Sequence, residues 1–200
     1  SQAVLPLRGK ILNVQSAGRD KLAQNAQLAD LVQALGCGTG ASYRDDDLRY
    51  DKVIVMTDAD VDGAHIASLL ITFFYTQMPR LIDRGHLYLA VPPLYRLSHG
   101  GKILYARDDK HKDELLKKEF RANAHVEISR FKGLGEMMAN QLKETTMDRK
   151  KRTLLRVTIV EDERKATAKS VERLMGTKAE ARFEFIQERA EFADEEMLDV

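Results

Sequence analysis

The sequence predicts an α/β fold: a parallel sheet flanked by helices, followed by a smaller α+β tail. Three observations predict it. Residues 52–60, KVIVMTDAD, open on a β-branched apolar run without polar alternation, the mark of a strand covered on both faces. Residues 63–85 are mostly apolar at helical spacing up to Gly85, and residues 86–91, HLYLAV, make a second strand stopped by Pro92 and Pro93. Strand, helix, strand in that order is a βαβ unit, whose strands run parallel. After residue 98 the texture changes to short strands and charged helices.

The other elements follow in order. Residues 3–14, AVLPLRGKILNV, read as a short strand running into a loop, broken by Pro6 and Gly9. Residues 20–35 carry Leu22, Ala26, Ala29 and Leu35 at the spacing of one amphipathic helix, closed by Gly36. GCGTG and RDDD then make a polar loop. Phe73, Phe74 and Tyr75 fall on the long apolar helix and are expected in the core. In the tail, KILYA (102–106) reads as a strand, and DDKHKDELLKKEF as a surface helix capped by Asp108 or Asp109. HVEISRF is a strand, residues 139–147 are helical, and TLLRVTIV (153–160) is a strand. DERKATAKSVERLM and AEARFEFIQERAEF are two helices separated by Gly176. The stretch SHGG places a boundary near residues 98–101, giving domains 1–98 and 99–200.

A chain of 200 residues and 22.7 kDa can bury a real core. With 44% hydrophobic and 32% charged residues it is globular rather than disordered. Its net charge of +1 does not advertise nucleic acid, so any DNA affinity must come from local patches. The single cysteine, Cys37, excludes an internal disulfide and a cysteine zinc cluster, and suits a reducing, cytoplasmic setting. No apolar run approaches the roughly 20 residues that span a bilayer, so no membrane is expected. The opening SQAVLPLRGK has its basic residues after the apolar ones, the wrong order for a signal peptide. It starts with Ser1 in an apolar stretch, as expected of a fragment of a longer protein.

The chemistry concentrates in MTDADVDGAH, where Asp58, Asp60 and Asp62 alternate and Gly63 follows. A calcium loop of the EF-hand type needs Glu at its twelfth position, which is Leu69 here, and a helix before it, where a strand is expected. Asp62 alone is accounted for as the cap of the helix that begins near Gly63. For three acids together that is a poor account. At the carboxyl end of a strand, alternate side chains converge on one side, and three like charges there repel unless a cation compensates them. Open α/β sheets place their ligands at that end. Carboxylate-rich coordination selects a hard ion, Mg2+ above all, and so points to phosphoryl or phosphodiester chemistry. Nuclease, phosphatase and phosphotransferase all stay open at this point. Asp45, Asp46 and Asp47 are consecutive, point in different directions, and read as a solvated acidic turn.

The motifs PLRGKILNV, DLRYDKVIVMTDADVDGAHI, LYLAVPPLY, RFKGLGEM and KETTMD occur in this order. Together they resemble the B subunit of bacterial type IIA topoisomerases, from its Rossmann-like TOPRIM domain to the C-terminal tail. LGCGTG, DGAHI and RDDDLRYD make the chain more similar to topoisomerase IV than to gyrase, whose B subunit is the alternative. The resemblance implies ATP-dependent double-strand cleavage, strand passage and religation of DNA within an A2B2 heterotetramer. The A subunit carries the catalytic tyrosine, and none of the six tyrosines here sits in a nucleophile motif. It implies Mg2+ as cofactor, with Asp58 and Asp60 as catalytic metal ligands and Asp62 as an alternate or outer ligand. ATP is bound by a domain outside this chain. The family's acid–base Glu, in a Glu-Gly-Asp-Ser-like motif, lies upstream of QAVLPLRGK, as does the first strand of the TOPRIM sheet.

The resemblance also assigns basic residues. It places Lys10 and Asn13 on DNA and Arg8 in the pocket that takes quinolone-type drugs. His65 stands on the first turn of a helix, whose N-terminus favours anions. Lys132 sits in KGLGEM, where Gly133 and Gly135 would allow backbone to approach phosphate. DRKKR (148–152) is the strongest basic run, and a solvated face is its ordinary explanation. Two other classes compete. A stand-alone Mg2+ phosphatase needs an aspartyl nucleophile with a nearby lysine in a companion motif, which does not occur. A non-catalytic module would dock DNA or a partner only. With too few carboxylates to hold Mg2+ for cleavage, the chain alone is expected to leave supercoiled plasmid intact in the presence of Mg2+. Nicked circles on an agarose gel would contradict this.

Overall fold

The structure is a computed structural model describing residues 2–58, 60–121 and 123–190. It is mixed α/β, with helices and two three-stranded sheets. The chain divides into two compact units, Ser1–Val53 with His65–Leu87 and Arg156–Val200, and Ile54–Ala64 with Tyr88–Leu155.

The helices of the first unit begin with α1 (Arg19–Gln24) and α2 (Ala26–Leu35). The sequence reads this stretch as one helix, and Asn25 is the reason it is two. Its side chain accepts the Leu28 N–H at 3.0 Å, capping α2 and taking its own backbone out of the helical region. Gly36, in the left-handed conformation (φ 77°), ends α2 as expected. The α2 stripe Leu28, Leu31 and Leu35 is buried, as are Leu69, Leu70, Phe73 and Phe74 of α3 (Val61–Gln77). Phe73 and Phe74 meet edge to face, their ring centres 5.4 Å apart. Pro79 then starts α4 (Pro79–Asp83) and splits what reads as one long helix. α7 (Arg164–Met175) and α8 (Ala179–Arg189) form a helical pair.

Asp45 is not simply solvated. It pairs with Arg80 and lies 3.8 Å from Arg84, while Asp46 and Asp47 are exposed as expected. Cys37 and Tyr43 are buried near this acid. Burial pushes the Cys37 thiol and the Tyr43 phenol up from their ordinary ranges, and the Asp45 charge adds to both. The expected strand at 3–14 does not form: residues 2–13 are irregular, with Gly9 at φ 80°. Pro6 offers no N–H to a ladder.

The first sheet has the order β1–β2–β6, from Val53–Val55, Leu87–Val91 and Thr153–Arg156. β1 and β2, joined through α3 and α4, are neighbours, as a βαβ unit requires. β1 and β6 are shorter than their apolar runs. The second sheet has the order β4–β3–β5, from Lys102–Ala106, Tyr95–His99 and Glu127–Arg130. β3, which the sequence reading misses, is antiparallel to both neighbours, with Leu97 opposite Leu104 and Ile128. SHGG, where the texture of the sequence changes, is the turn of the β3–β4 hairpin; Gly100 (φ 56°) and Gly101 (φ 82°) supply the left-handed conformations it needs. α5 (Asp109–Glu119) is capped by Asp108, which accepts the His111 N–H at 2.7 Å. α6 (Ala139–Leu142) continues into a π turn at Lys143–Met147.

Because Cys37 and Tyr43 hold their protons more tightly when folded, their contribution to stability is complete below the unfolded thiol range. It is lost as the pH rises through the raised folded values. Urea unfolding at constant ionic strength should give a flat stability at neutral pH and a decline that begins near pH 9. The decline should start at higher pH in Cys37→Ala.

Candidate functional site

The site begins where β1 ends. The strand stops at Val55, so Asp58 and Asp60 lie in the β1–α3 connection and Asp62 in the first turn of α3. The three acids are therefore not presented by strand alternation, as the sequence suggests. The first turn of a helix has N–H groups with no partner inside the helix. Asp60 serves them: its Oδ1 accepts the Gly63 N–H at 2.7 Å, and its carbonyl accepts the Ala64 N–H at 3.0 Å. Gly63 is buried, and a Cβ there would stand 2.1 Å from the Asp58 carbonyl oxygen. Only glycine lets the loop fold back so closely.

Asp58 is held from a second side, by a turn 76 residues away. Its Oδ1 accepts the Leu134 N–H at 2.7 Å. A Cβ on Gly133 would lie 3.0 Å from the Asp58 carboxyl carbon and Oδ1. The turn is closed on itself. Lys132 N–H donates to Glu136 Oε2 at 2.7 Å, Glu136 N–H to the Gly133 carbonyl at 3.2 Å, and Met137 N–H to the Leu134 carbonyl at 3.2 Å. Phe131 and Met137 are buried at its two ends, and Phe131 N–H donates to the Leu94 carbonyl at 2.8 Å. The expected role of its two glycines changes accordingly. The space beside Gly133 is filled by a carboxylate, whereas a Cβ on Gly135 would meet nothing within 4 Å.

Among the described residues, no three His, Cys, Asp or Glu side chains come together as a metal cluster. What the loop holds ready is Asp58 and Asp60, both exposed, each oriented by a backbone amide. A carboxylate has about four lone-pair positions, and one amide uses one of them. Two such groups fit Mg2+, which takes one or two carboxylates and keeps several waters. The Lys132 side chain is exposed beside the turn that holds Asp58, in the same unit.

Arg8, Lys10, Asn13 and His65 lie in the other unit. Arg8 and Lys10 are exposed, and the Arg8 backbone is clasped by Gln27, which donates from Nε2 to its carbonyl at 2.7 Å and accepts its N–H at 3.3 Å. Nothing local in the sequence flags Gln27. Asn13 donates from Nδ2 to the Met175 carbonyl at 2.8 Å and accepts the Gln15 N–H at 3.1 Å, so its amide ties this segment to the end of α7. His65 is exposed on α3. In DRKKR, Asp148 organises the turn by accepting from Lys150 N–H at 2.9 Å, and Arg149, Lys150 and Lys151 are exposed.

The glycine-pinned acidic loop after a short strand, on a mixed α/β scaffold, is consistent with a Toprim domain. Residues 1–92 match the Toprim domain family, and residues 123–187 match the family described as the DNA gyrase B subunit, carboxyl terminus. The chain belongs to the B-subunit family of type IIA topoisomerases. It is 66% identical to the DNA topoisomerase 4 B subunit of Bartonella bacilliformis over 97% of this chain and 28% of that relative. It is 65% identical to the DNA topoisomerase 4 B subunit of Caulobacter vibrioides over 98% of this chain and 28% of that relative. Against the DNA gyrase B subunit of Thermus thermophilus the identity is 50%, over 96% of this chain and 30% of that relative. The chain thus spans less than a third of the length of these relatives. Among the described residues no helix is long and apolar enough to cross a membrane.

Replacing Gly63 by Ala should unfold the loop from α3. A loss of at least about 2 kcal/mol is expected by urea denaturation, since the added methyl meets backbone that cannot move aside cheaply. Gly135→Ala, with open space, should stay within about 0.5 kcal/mol of the parent.

Proposed function

We propose that this chain is the Mg2+-binding, DNA-gate part of a topoisomerase IV-like enzyme. In this reading it supports ATP-dependent double-strand cleavage, passage and religation together with an A subunit that supplies the nucleophilic tyrosine. The observation that carries the reading is the pair Asp58 and Asp60 in a Toprim loop, both exposed and each with one oxygen fixed by a backbone N–H. Similarity to the two topoisomerase 4 relatives supports it.

Asp58 and Asp60 would hold the ion, with Asp62 as an alternate or outer ligand. When bound, Mg2+ supplies positive charge at a phosphodiester whose oxygens gain negative charge during transfer. The chain's own part is to present the two carboxylates in fixed orientation, so that little reorganisation is needed when the ion and the phosphate arrive. Lys132, Lys10 and His65 are the proposed DNA contacts, each on exposed surface. Asn13, whose amide is engaged within the chain, would act by holding the segment that carries Lys10. Arg8 is the proposed drug-pocket residue.

The test is the double substitution Asp58→Ala/Asp60→Ala in the complete B subunit, assembled with its A subunit. Mg2+-dependent cleavage should be abolished across a metal titration, and divalent-ion binding lost, while duplex binding persists. Retained cleavage would reduce the chain to a docking module.

A further inference from the structure

We propose that the Gly133–Leu134 turn is a positioning element for the Asp58 carboxylate: it sets which oxygen Asp58 presents to a divalent cation. This rests on the reading of Asp58 and Asp60 as the cation's holders. The terminal torsion of an aspartate is soft and roughly two-fold, so an unheld carboxylate spreads its oxygens over many directions. Here the Leu134 amide takes Oδ1 at 2.7 Å, a short, charge-assisted bond. That bond uses one lone pair of Oδ1 and none of Oδ2.

Gly133 is glycine for space and not for conformation. Its backbone is extended, at φ −160° and ψ 174°, which any residue adopts. A methyl there would press within 3.0 Å of the Asp58 Cγ and Oδ1 and 3.3 Å of Oδ2. The amide is pre-positioned, because the turn is tied down by Phe131 N–H on Leu94, by Lys132 N–H on Glu136, and by buried Met137. Asp58 and this turn belong to one unit, so the bond is internal to it. Lys132 is two residues from the donating amide. The turn therefore links an exposed cation to the orientation of the acid.

The test is Mn2+ binding by the complete B subunit without nucleotide, read as the loss of the free-ion electron paramagnetic resonance signal. Melting temperatures without metal accompany it. Gly133→Ala adds bulk against the carboxylate. Leu134→Pro deletes the donor at the first position of a 3-10 turn, where proline is accommodated. It serves as the second variant should the first fail to fold. Both should weaken Mn2+ binding by roughly tenfold or more, as loss of a partner that orients a metal ligand does. Gly135→Ala, in the same turn with no neighbour, should bind as the parent does. Parent-like affinity in folded Gly133→Ala and Leu134→Pro would overturn the proposal, and so would a lowered melting temperature with unchanged affinity. If the parent and Asp58→Asn/Asp60→Asn bind Mn2+ alike, the metal reading itself fails and takes this proposal with it.

Discussion

The placement of one carboxylate governs the rest of the site. Asp58 is bounded by two glycines far apart in sequence, Gly63 against its carbonyl and Gly133 against its side chain, and its Oδ1 accepts the Leu134 amide. Each contact closes a gap that a Cβ would hold open. The bond joins segments 76 residues apart, so it also specifies where the KGLGEM turn can sit. Asp60 completes the arrangement by capping α3, which fixes the direction in which the loop enters the helix.

Charge is handled differently in the two units. In the first, Asp45 is flanked by Arg80 and Arg84, beside a buried thiol and phenol. In the second, Tyr95 is the centre: its hydroxyl donates to Asp109 at 2.8 Å, while the Lys112 ammonium lies 4.6 Å from its ring centre. Asp109 is held below the usual carboxylate range, first by its bond from Lys112 and then by that from Tyr95. These clusters balance their charges locally. Asp58 and Asp60 instead receive neutral backbone amides, which orient a carboxylate without neutralising it. That difference separates acids tied to a cationic side chain from acids oriented by backbone amides.

Much of the fold was legible because apolar period and capping are local. The α2 stripe, the Asp108 cap of α5 and the Gly36 stop all follow from neighbours in the chain. The departures share one cause, a short-range signal outweighed by another. Asn25 looks like a tolerable helix residue but makes a better cap, so one helix became two. Pro79 looks internal but begins α4. β3 escaped notice because YRLSH has few apolar residues and owes its strand to pairing on both sides, with Lys102–Ala106 and Glu127–Arg130. The alternation of Asp58, Asp60 and Asp62 suggested a strand face. The chain had already left the strand, because Gly63 and the first turn of α3 demand a tight return.

By itself the sequence determined the kinds of element, the family, and the presence of a carboxylate-rich loop suited to a hard cation, because each is written in local spacing or in ordered motifs. Only the tertiary structure decided what each acid does. Asp60 became the helix cap and Asp58 the acceptor of an amide from KGLGEM, a partner no spacing rule reaches across 76 residues. A hydrogen bond is settled by which groups the fold brings within about 3 Å, and that depends on the whole path of the chain between them.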